Sequence, residues 1–322
     1  MTEPGDGAAV VARDLSKRFE TTTALDRVSF TIQRAELFGF VGPDGAGKTT
    51  LFRILATVMR PSTGTAHVLG QDVVSGLWTL RPRIGYMPGR FSLYPDLSVL
   101  ENLRFFASVF GTSIEGERER IDPIYKQLEP FNDRRAAALS GGMKQKLALC
   151  CALVHRPDIL LLDEPTTGVD AVSRREFWDL LGGMKSSGMT IVVSTPYMDE
   201  ANRCDRVALI QRGRLLAVDA PARIAASFGR PLFAVHAGGG AERYRVLLAL
   251  REYAHTKSVY PFGEALHYTD TRANESDDDV AASATTFLAA KGFSATRIER
   301  IEPTVEDVFI ERMGAPEGTR AA

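Results

Sequence analysis

The chain has 322 residues, 44% hydrophobic and 25% charged, a balance that suits one large domain plus a small one, each with a buried core. Lys and Arg total 39 against 40 for Asp and Glu, which excludes a global basic field, so no nucleic acid partner is expected. No stretch approaches the roughly 18 uninterrupted apolar residues of a spanning helix, and the acidic, small-residued start MTEPGDGAAV does not read as a secretory signal.

Taken in chain order, Ala9 to Leu15 and Val28 to Ile32 carry strand patterns, and Glu36 to Val41 is a short apolar run of buried-strand length. A glycine-rich segment follows. Thr50 to Met59 then shows helical spacing, with Leu51, Ile54, Leu55 and Val58 on one side and Pro61 ending the helix. From about Asp96 to Arg156 the chain is mostly helical, with Leu97, Leu100, Leu103 and Phe106 predicted on one face. Apolar strands return at Ile159 to Leu162, Thr190 to Ser194 and Val207 to Ile210. Strands alternating with helices predict a parallel α/β core, with the helical stretch as an inserted subdomain.

A boundary is expected near Phe228-Gly229-Arg230-Pro231, dividing the chain into residues 1–228 and 229–322. The second part reads as βαββαβ, a small ferredoxin-like α+β domain. It has a strand from Leu232 to His236, a helix from Glu242 to Tyr253, two strands flanking Gly263, a helix from Asp279 to Ala290 and a last strand near Thr296 to Ile301. The acidic run from Glu275 to Asp279 reads as a solvated loop feeding a helix N-terminus. Cys150 and Cys151 are chain neighbours, which rarely bridge, and with Cys204 they show no metal-ligand spacing; a reduced, cytosolic setting is expected.

Chemistry concentrates in the glycine-rich segment. Gly42-Pro43-Asp44-Gly45-Ala46-Gly47-Lys48-Thr49, with Thr50 next, has the spacing of a Walker A phosphate loop between a buried strand and a helix. Glycines let the backbone wrap so that successive N–H groups point at phosphate oxygens, and the helix adds its positive end. Lys48 is expected to reach the β- and γ-phosphates of ATP and the Thr49 hydroxyl to ligate Mg2+. Ile159-Leu160-Leu161-Leu162-Asp163-Glu164 describes a core strand that delivers two acids to its C-terminal edge, where α/β sites sit. Asp163 is the second expected Mg2+ residue, and Glu164 the group that polarises the attacking water. A GTPase fits poorly, because no NKxD-like segment follows the loop.

Leu139-Ser140-Gly141-Gly142-Met143-Lys144-Gln145-Lys146, just before the Walker B strand, resembles the signature sequence of ABC ATPases. The resemblance covers about the first 228 residues, in the family's order: Phe19, phosphate loop, signature, Walker B, then TTGVD. It implies a P-loop NTPase core of ABC type with an inserted helical subdomain. It also implies a head-to-tail dimer, homomeric or heteromeric, with each ATP sandwiched between the phosphate loop of one subunit and Ser140, Gly141 and Gly142 of the other. By the same resemblance Phe19 stacks on the adenine and Asp170 lies in the loop crossing the dimer interface. Read without the resemblance, a lone aromatic near a strand is more often core than base platform. LYPDLSVLENL at 93–103 and EPTVEDVFIERM at 302–313 resemble ATPases of ABC-2 type exporters, including daunorubicin-resistance-like subunits, which are peripheral chains on the cytosolic face of a membrane permease.

Two positions depart from the family pattern. Gly89 stands where a glutamine usually contacts magnesium and the attacking water, and Pro196 where a histidine usually contacts the γ-phosphate. Neither side chain can donate a hydrogen bond. Among the five histidines, His155 falls in the turn before the Walker B strand, where a structural role is the simpler reading, and none is an obvious replacement. The expectation is an exporter ATPase whose own phosphate loop binds ATP and hydrolyses it slowly. Two other readings are a soluble, non-transport ABC ATPase, and a nucleotide-dependent regulatory or assembly module without useful hydrolysis.

Overall fold

The computed structural model describes residues 7–272 and 274–314, so residues 1–6 of the opening stretch lie outside the described residues. Strands β1 (Ala8–Phe19) and β2 (Thr22–Gln33) pair antiparallel, and from Val28 to Gln33 β2 alternates buried and more exposed residues, as a sheet with one covered face requires. Strand β3 (Leu37–Val41) is buried along its whole length. Helix α1 (Lys48–Leu55) follows, then β4 (Thr63–Val68), β5 (Gln71–Asp72), the single turn α2 (Leu77–Leu80) and β6 (Ile84–Met87). Helices α3 (Val99–Val109), α4 (Ile114–Leu128) and α5 (Gly141–Leu153) form the predicted helical stretch. The core resumes with β7 (Ile159–Asp163), α6 (Ala171–Ser186), β8 (Thr190–Thr195), β9 (Arg206–Gln211), β10 (Arg214–Asp219) and α7 (Pro221–Ala226).

A six-stranded sheet runs in the order β10-β9-β3-β8-β7-β6, parallel except for the edge strand β10. A second sheet, β2-β1-β4-β5, is antiparallel. Phe30, Phe38, Phe40 and Phe52 link the two sheets and α1 in one core. Phe40 lies 4.9 Å from Phe30, 5.2 Å from Phe38 and 6.0 Å from Phe52, at tilted or edge-on angles that aromatic pairs favour. Parallel strands bring the ends of β3, β7 and β8 to one edge, which is where the glycine-rich loop and both acids lie.

Two sequence expectations are corrected. Helix α1 stops at Leu55 rather than Met59, because Thr57 adopts a left-handed conformation (φ 60°) that ends the helix, and Val58 is 61% exposed. In the helical stretch, Leu97 precedes α3, which starts with a capping box between Ser98 and Glu101. Its buried face carries Val99, Asn102, Leu103 and Ala107, a 3.6-residue stripe in place of the three-residue spacing expected. Asn102 is fully buried; it accepts from Tyr94 N and donates to the Tyr94 carbonyl, pinning the loop that precedes the helix.

Residues 225–308 form a second compact unit, while 309–314 group with the first. This unit contains β11 (Leu232–His236), α8 (Gly240–Glu252), β12 (Thr256–Phe262), β13 (Ala265–Asp270), α9 (Asp277–Ala290) and β14 (Arg297–Ile301). The sheet order β12-β13-β11-β14 is antiparallel throughout, the ferredoxin-like arrangement expected. Its core is built on Phe233, Leu250, Tyr268 and Leu288. Asp277, Asp278 and Asp279 fill the first turn of α9 behind the cap Ser276. Helix α10 (Val305–Gly314) closes the described chain.

All three cysteine thiols are free and buried, Cys150 and Cys151 on α5 and Cys204 before β9. Cys204 packs so closely on β3 that a Cβ at Gly39 would come within 2.8 Å of its Sγ.

Candidate functional site

Strand β3 delivers Gly42 into a gap too narrow for any side chain. A Cβ there would lie 2.0 Å from the Ile210 carbonyl oxygen, and Gly42 N donates to the Thr195 carbonyl at 3.2 Å. Gly45 and Gly47 take positive φ (76° and 104°), which lets the loop fold over before α1 begins. Pro43, Asp44 and Gly45 are exposed at the loop's tip, Ala46 is buried, and Thr49 and Thr50 are partly exposed in the first turn of α1. Lys48 is buried; its Nζ donates to the carbonyls of Gly42 at 2.7 Å and Pro43 at 3.0 Å. The same Nζ lies 3.1 Å from Glu164 Oε1. Phosphate loop and Walker B acid therefore meet around one ammonium.

Strand β7 is buried along its length and ends in Asp163. Asp163 Oδ1 accepts from Ser194 Oγ at 2.6 Å. Its Oδ2 is buried and has no hydrogen-bond partner among the described residues. A buried carboxylate oxygen without a partner is costly, and a hard divalent cation or its bound water is the kind of group that satisfies it. Glu164 holds a left-handed backbone (φ 51°), uncommon for a residue with a side chain. Ser194 fixes it there, taking the Glu164 N–H on its Oγ at 2.9 Å and its carbonyl at 3.1 Å. Tyr86 on β6 has its pKa pushed up to about 12, first by burial and then by the Asp163 carboxylate, so its hydroxyl stays protonated.

The signature opens α5. Ser140 is its cap, accepting from Met143 N at 3.3 Å, and Ser140 and Gly141 are exposed at the helix's positive end. Gly142 is buried against α6, where a Cβ would come 2.6 Å from Ser173 Oγ. Asp170 caps α6, accepting from Val172 N at 3.1 Å and Ser173 N at 3.0 Å, and these N–H groups hold its carboxyl below the usual range. Signature and Asp170 turn are thus packed as one surface. Phe19 is 42% exposed at the end of β1, with Lys17 Nζ 5.2 Å from its ring centre, so it is not a core residue.

Residues 25–167 match the ABC transporter family. The chain is 43% identical over 220 residues to a probable multidrug ABC transporter ATP-binding protein, YbhF, of Escherichia coli, covering 68% of this chain and 38% of that one. It is 40% identical over 217 residues to a Nod factor export ATP-binding protein I of Burkholderia lata, covering 66% and 71%. The chain belongs to the ATP-binding proteins of ABC transporters. Its match spans well under half the length of the Escherichia coli relative.

Solved structures agree. The ABC subunit cbiO1 of Clostridium perfringens, described as part of the cbiONQ complex, superposes with a TM-score of 0.62 at 28% identity, covering 69% of this chain and 92% of that one. A dimeric ATP-binding cassette bound to ADP and Pi gives 0.59 at 26%, covering 66% and 98%.

Both departures from the ABC pattern lie against this site. A Cβ at Gly89 would sit 3.0 Å from the Asp163 carbonyl oxygen and 3.6 Å from its Oδ2, so the position borders the Walker B acid. Pro196 follows directly on Thr195, whose carbonyl holds Gly42 N. His155 does not replace the missing histidine. Its ring stacks on Phe110 at 3.8 Å, its Nε2 lies 3.1 Å from the Ile84 carbonyl, and burial lowers its pKa. Reading the sequence missed Ser194 and Thr195. The available signal was a pair of hydroxyls following the apolar run Ile191 to Val193 at the end of the strand. Among the described residues no helix is long and apolar enough to cross a membrane.

Proposed function

We propose that this chain is the ATP-binding, energy-coupling subunit of an exporter of the ABC-2 type, working at the cytosolic face of a membrane through a separate permease. One observation carries the reading: the 3.1 Å pairing of Lys48 with Glu164 beside the orphaned Asp163 oxygen gathers phosphate loop and Walker B into half a site. The other half, Ser140 and Gly141, is presented to solvent. A second ATP-binding subunit, identical or different, completes each half, with ATP held between Lys48 of one subunit and the signature of the other. Phe19, exposed at the strand end, offers a face to the adenine.

Thr49 and Asp163 would hold Mg2+, whose charge offsets that of the phosphates. Glu164 takes the proton of the attacking water once ATP has drawn Lys48 away from it. Gly89 and Pro196 supply no donor to the transferring phosphate, so hydrolysis at this loop is slow. Residues 229–322 serve as an accessory domain. An aromatic patch just beyond Gly89 supports docking of a membrane subunit: Phe91 is 39% exposed, and Tyr94 and Phe105 are in edge contact at 4.7 Å.

The test is purification of the full chain from its native membrane. Recovery of a permease and a second ATP-binding subunit, together with ATP binding that Lys48→Ala abolishes, is the expected result. Purification without any membrane protein, or ATP binding indifferent to Lys48, would overturn it.

A further inference from the structure

Glu200 is an acid that neither the signature motifs nor the departures account for. It lies in the short 3-10 turn Met198–Arg203 and is only 3% exposed. Its two oxygens are used separately: Oε1 accepts from Thr166 Oγ1 at 2.9 Å and Oε2 from Thr195 Oγ1 at 2.5 Å. Arg174 Nε, on α6, approaches Oε1 at 3.8 Å and supplies the balancing charge. A buried carboxylate is expensive to desolvate, and packing alone would be served as well by an apolar side chain. What these contacts add is position.

Thr166 is two residues beyond Glu164. Thr195 presents its carbonyl to Gly42 N, and its Oγ1 also receives Tyr197 N at 3.1 Å. Both hydrogen bonds made by Thr195 Oγ1 reach across Pro196, so the proline is bracketed by one hydroxyl. Arg174 sits four residues after Asp170, and its guanidinium lies 5.0 Å from the centre of the Tyr197 ring. We infer that Glu200 is a positioning residue for ATP hydrolysis: its carboxylate clasps the loop behind Glu164 to the strand end beside the phosphate loop, and so keeps the general base in register although position 196 carries no donor. The inference rests on the ATP-site reading above.

The test uses the full-length chain and two measurements, ATP affinity and the single-turnover hydrolysis rate with protein in excess. Glu200→Ala and Thr195→Val should each slow hydrolysis by about 10- to 100-fold, the scale of a small misplacement of a reacting group, with ATP affinity changed by less than about 3-fold. Thr195→Ser, which keeps the hydroxyl, should hydrolyse at the parent rate. Glu200→Ala combined with Thr195→Val should be no slower than Glu200→Ala alone, because the bond between the two side chains is already lost in it. If Glu200→Ala does not fold, Thr195→Val against Thr195→Ser decides the matter. Parent-like hydrolysis in Thr195→Val, or parallel loss of affinity and rate, overturns the clasp and leaves the ATP site standing. A parent chain that binds no ATP overturns both.

Discussion

Lys48 and Glu164 neutralise each other inside the protein, at 3.1 Å, across the gap between the helix that follows the phosphate loop and the end of the Walker B strand. The ammonium is also held by two loop carbonyls, so it is satisfied before any phosphate arrives. In the proposed function an incoming triphosphate competes for it with the carboxylate, and winning that competition would free Glu164, making binding and activation of the proposed base one event.

Glu164→Gln removes the competitor while keeping the shape. ATP should bind up to about tenfold more tightly, a change of about 1.4 kcal/mol. Hydrolysis should fall by about 10²–10⁴-fold, as expected for a lost general base. Titration with a fluorescent ATP analogue and a single-turnover assay measure the two; an unchanged rate would show that Glu164 is not the base.

Restoring the missing donors should speed turnover. The double change Gly89→Gln and Pro196→His is expected to raise the hydrolysis rate by about 10²-fold, within the range for a preorganised transition-state donor. Gly89→Gln alone should gain less and lower the melting temperature, because the new Cβ starts 3.0 Å from the Asp163 carbonyl oxygen and the strand must give way. A double variant no faster than its parent would mean that slow turnover has another cause.

Gly142 is a packing glycine as well as a signature residue. Gly142→Ala sets a methyl 2.6 Å from Ser173 Oγ and 2.7 Å from Ser173 Cβ, and should destabilise the chain by about 1–3 kcal/mol, the usual cost of overpacking. Adding Ser173→Gly should recover most of the loss of melting temperature. If it does not, the clash lies elsewhere.

Acid should act on the small unit through Asp270. Burial alone would raise its pKa, but hydrogen bonds from Arg272 and Tyr268 prevail and bring it down from 3.8 to about 2. A depressed carboxyl pKa stabilises the fold above the unfolded value, so this contribution is full above about pH 4 and is lost as the pH falls towards 2. Asp270→Asn should flatten that part of the acid profile, read by hydrogen exchange of residues 256–272. An acid profile identical to the parent's would assign the transition to other groups.

The phosphate loop and the Walker B strand were legible because their physics is local. A buried apolar run leading into glycines, or into two acids, means the same thing in any surroundings, and Lys48, Asp163 and Glu164 fall where that logic puts them. The ferredoxin-like unit was legible from alternating strand and helix patterns around Gly263. The end of α1 was not, since Thr57 is a β-branched residue in a left-handed conformation that local preference disfavours. There its carbonyl accepts from Arg81, a residue 24 positions later in the chain. The joint roles of Ser194, Thr195 and Glu200 were equally out of reach, because each depends on which strands become neighbours.

The three buried thiols have a practical consequence. Burial pushes the pKa of Cys150, Cys151 and Cys204 far above the ordinary thiol value, and the thiolate is the species that reacts. An alkylating reagent thus finds nothing to modify in the closed protein. The rate at which label appears on Cys204, wedged against β3, becomes a clock for opening of the central sheet, and the pair on α5 a second clock for the helix that carries the signature. If ATP steadies one region more than the other, the two clocks will slow by different amounts.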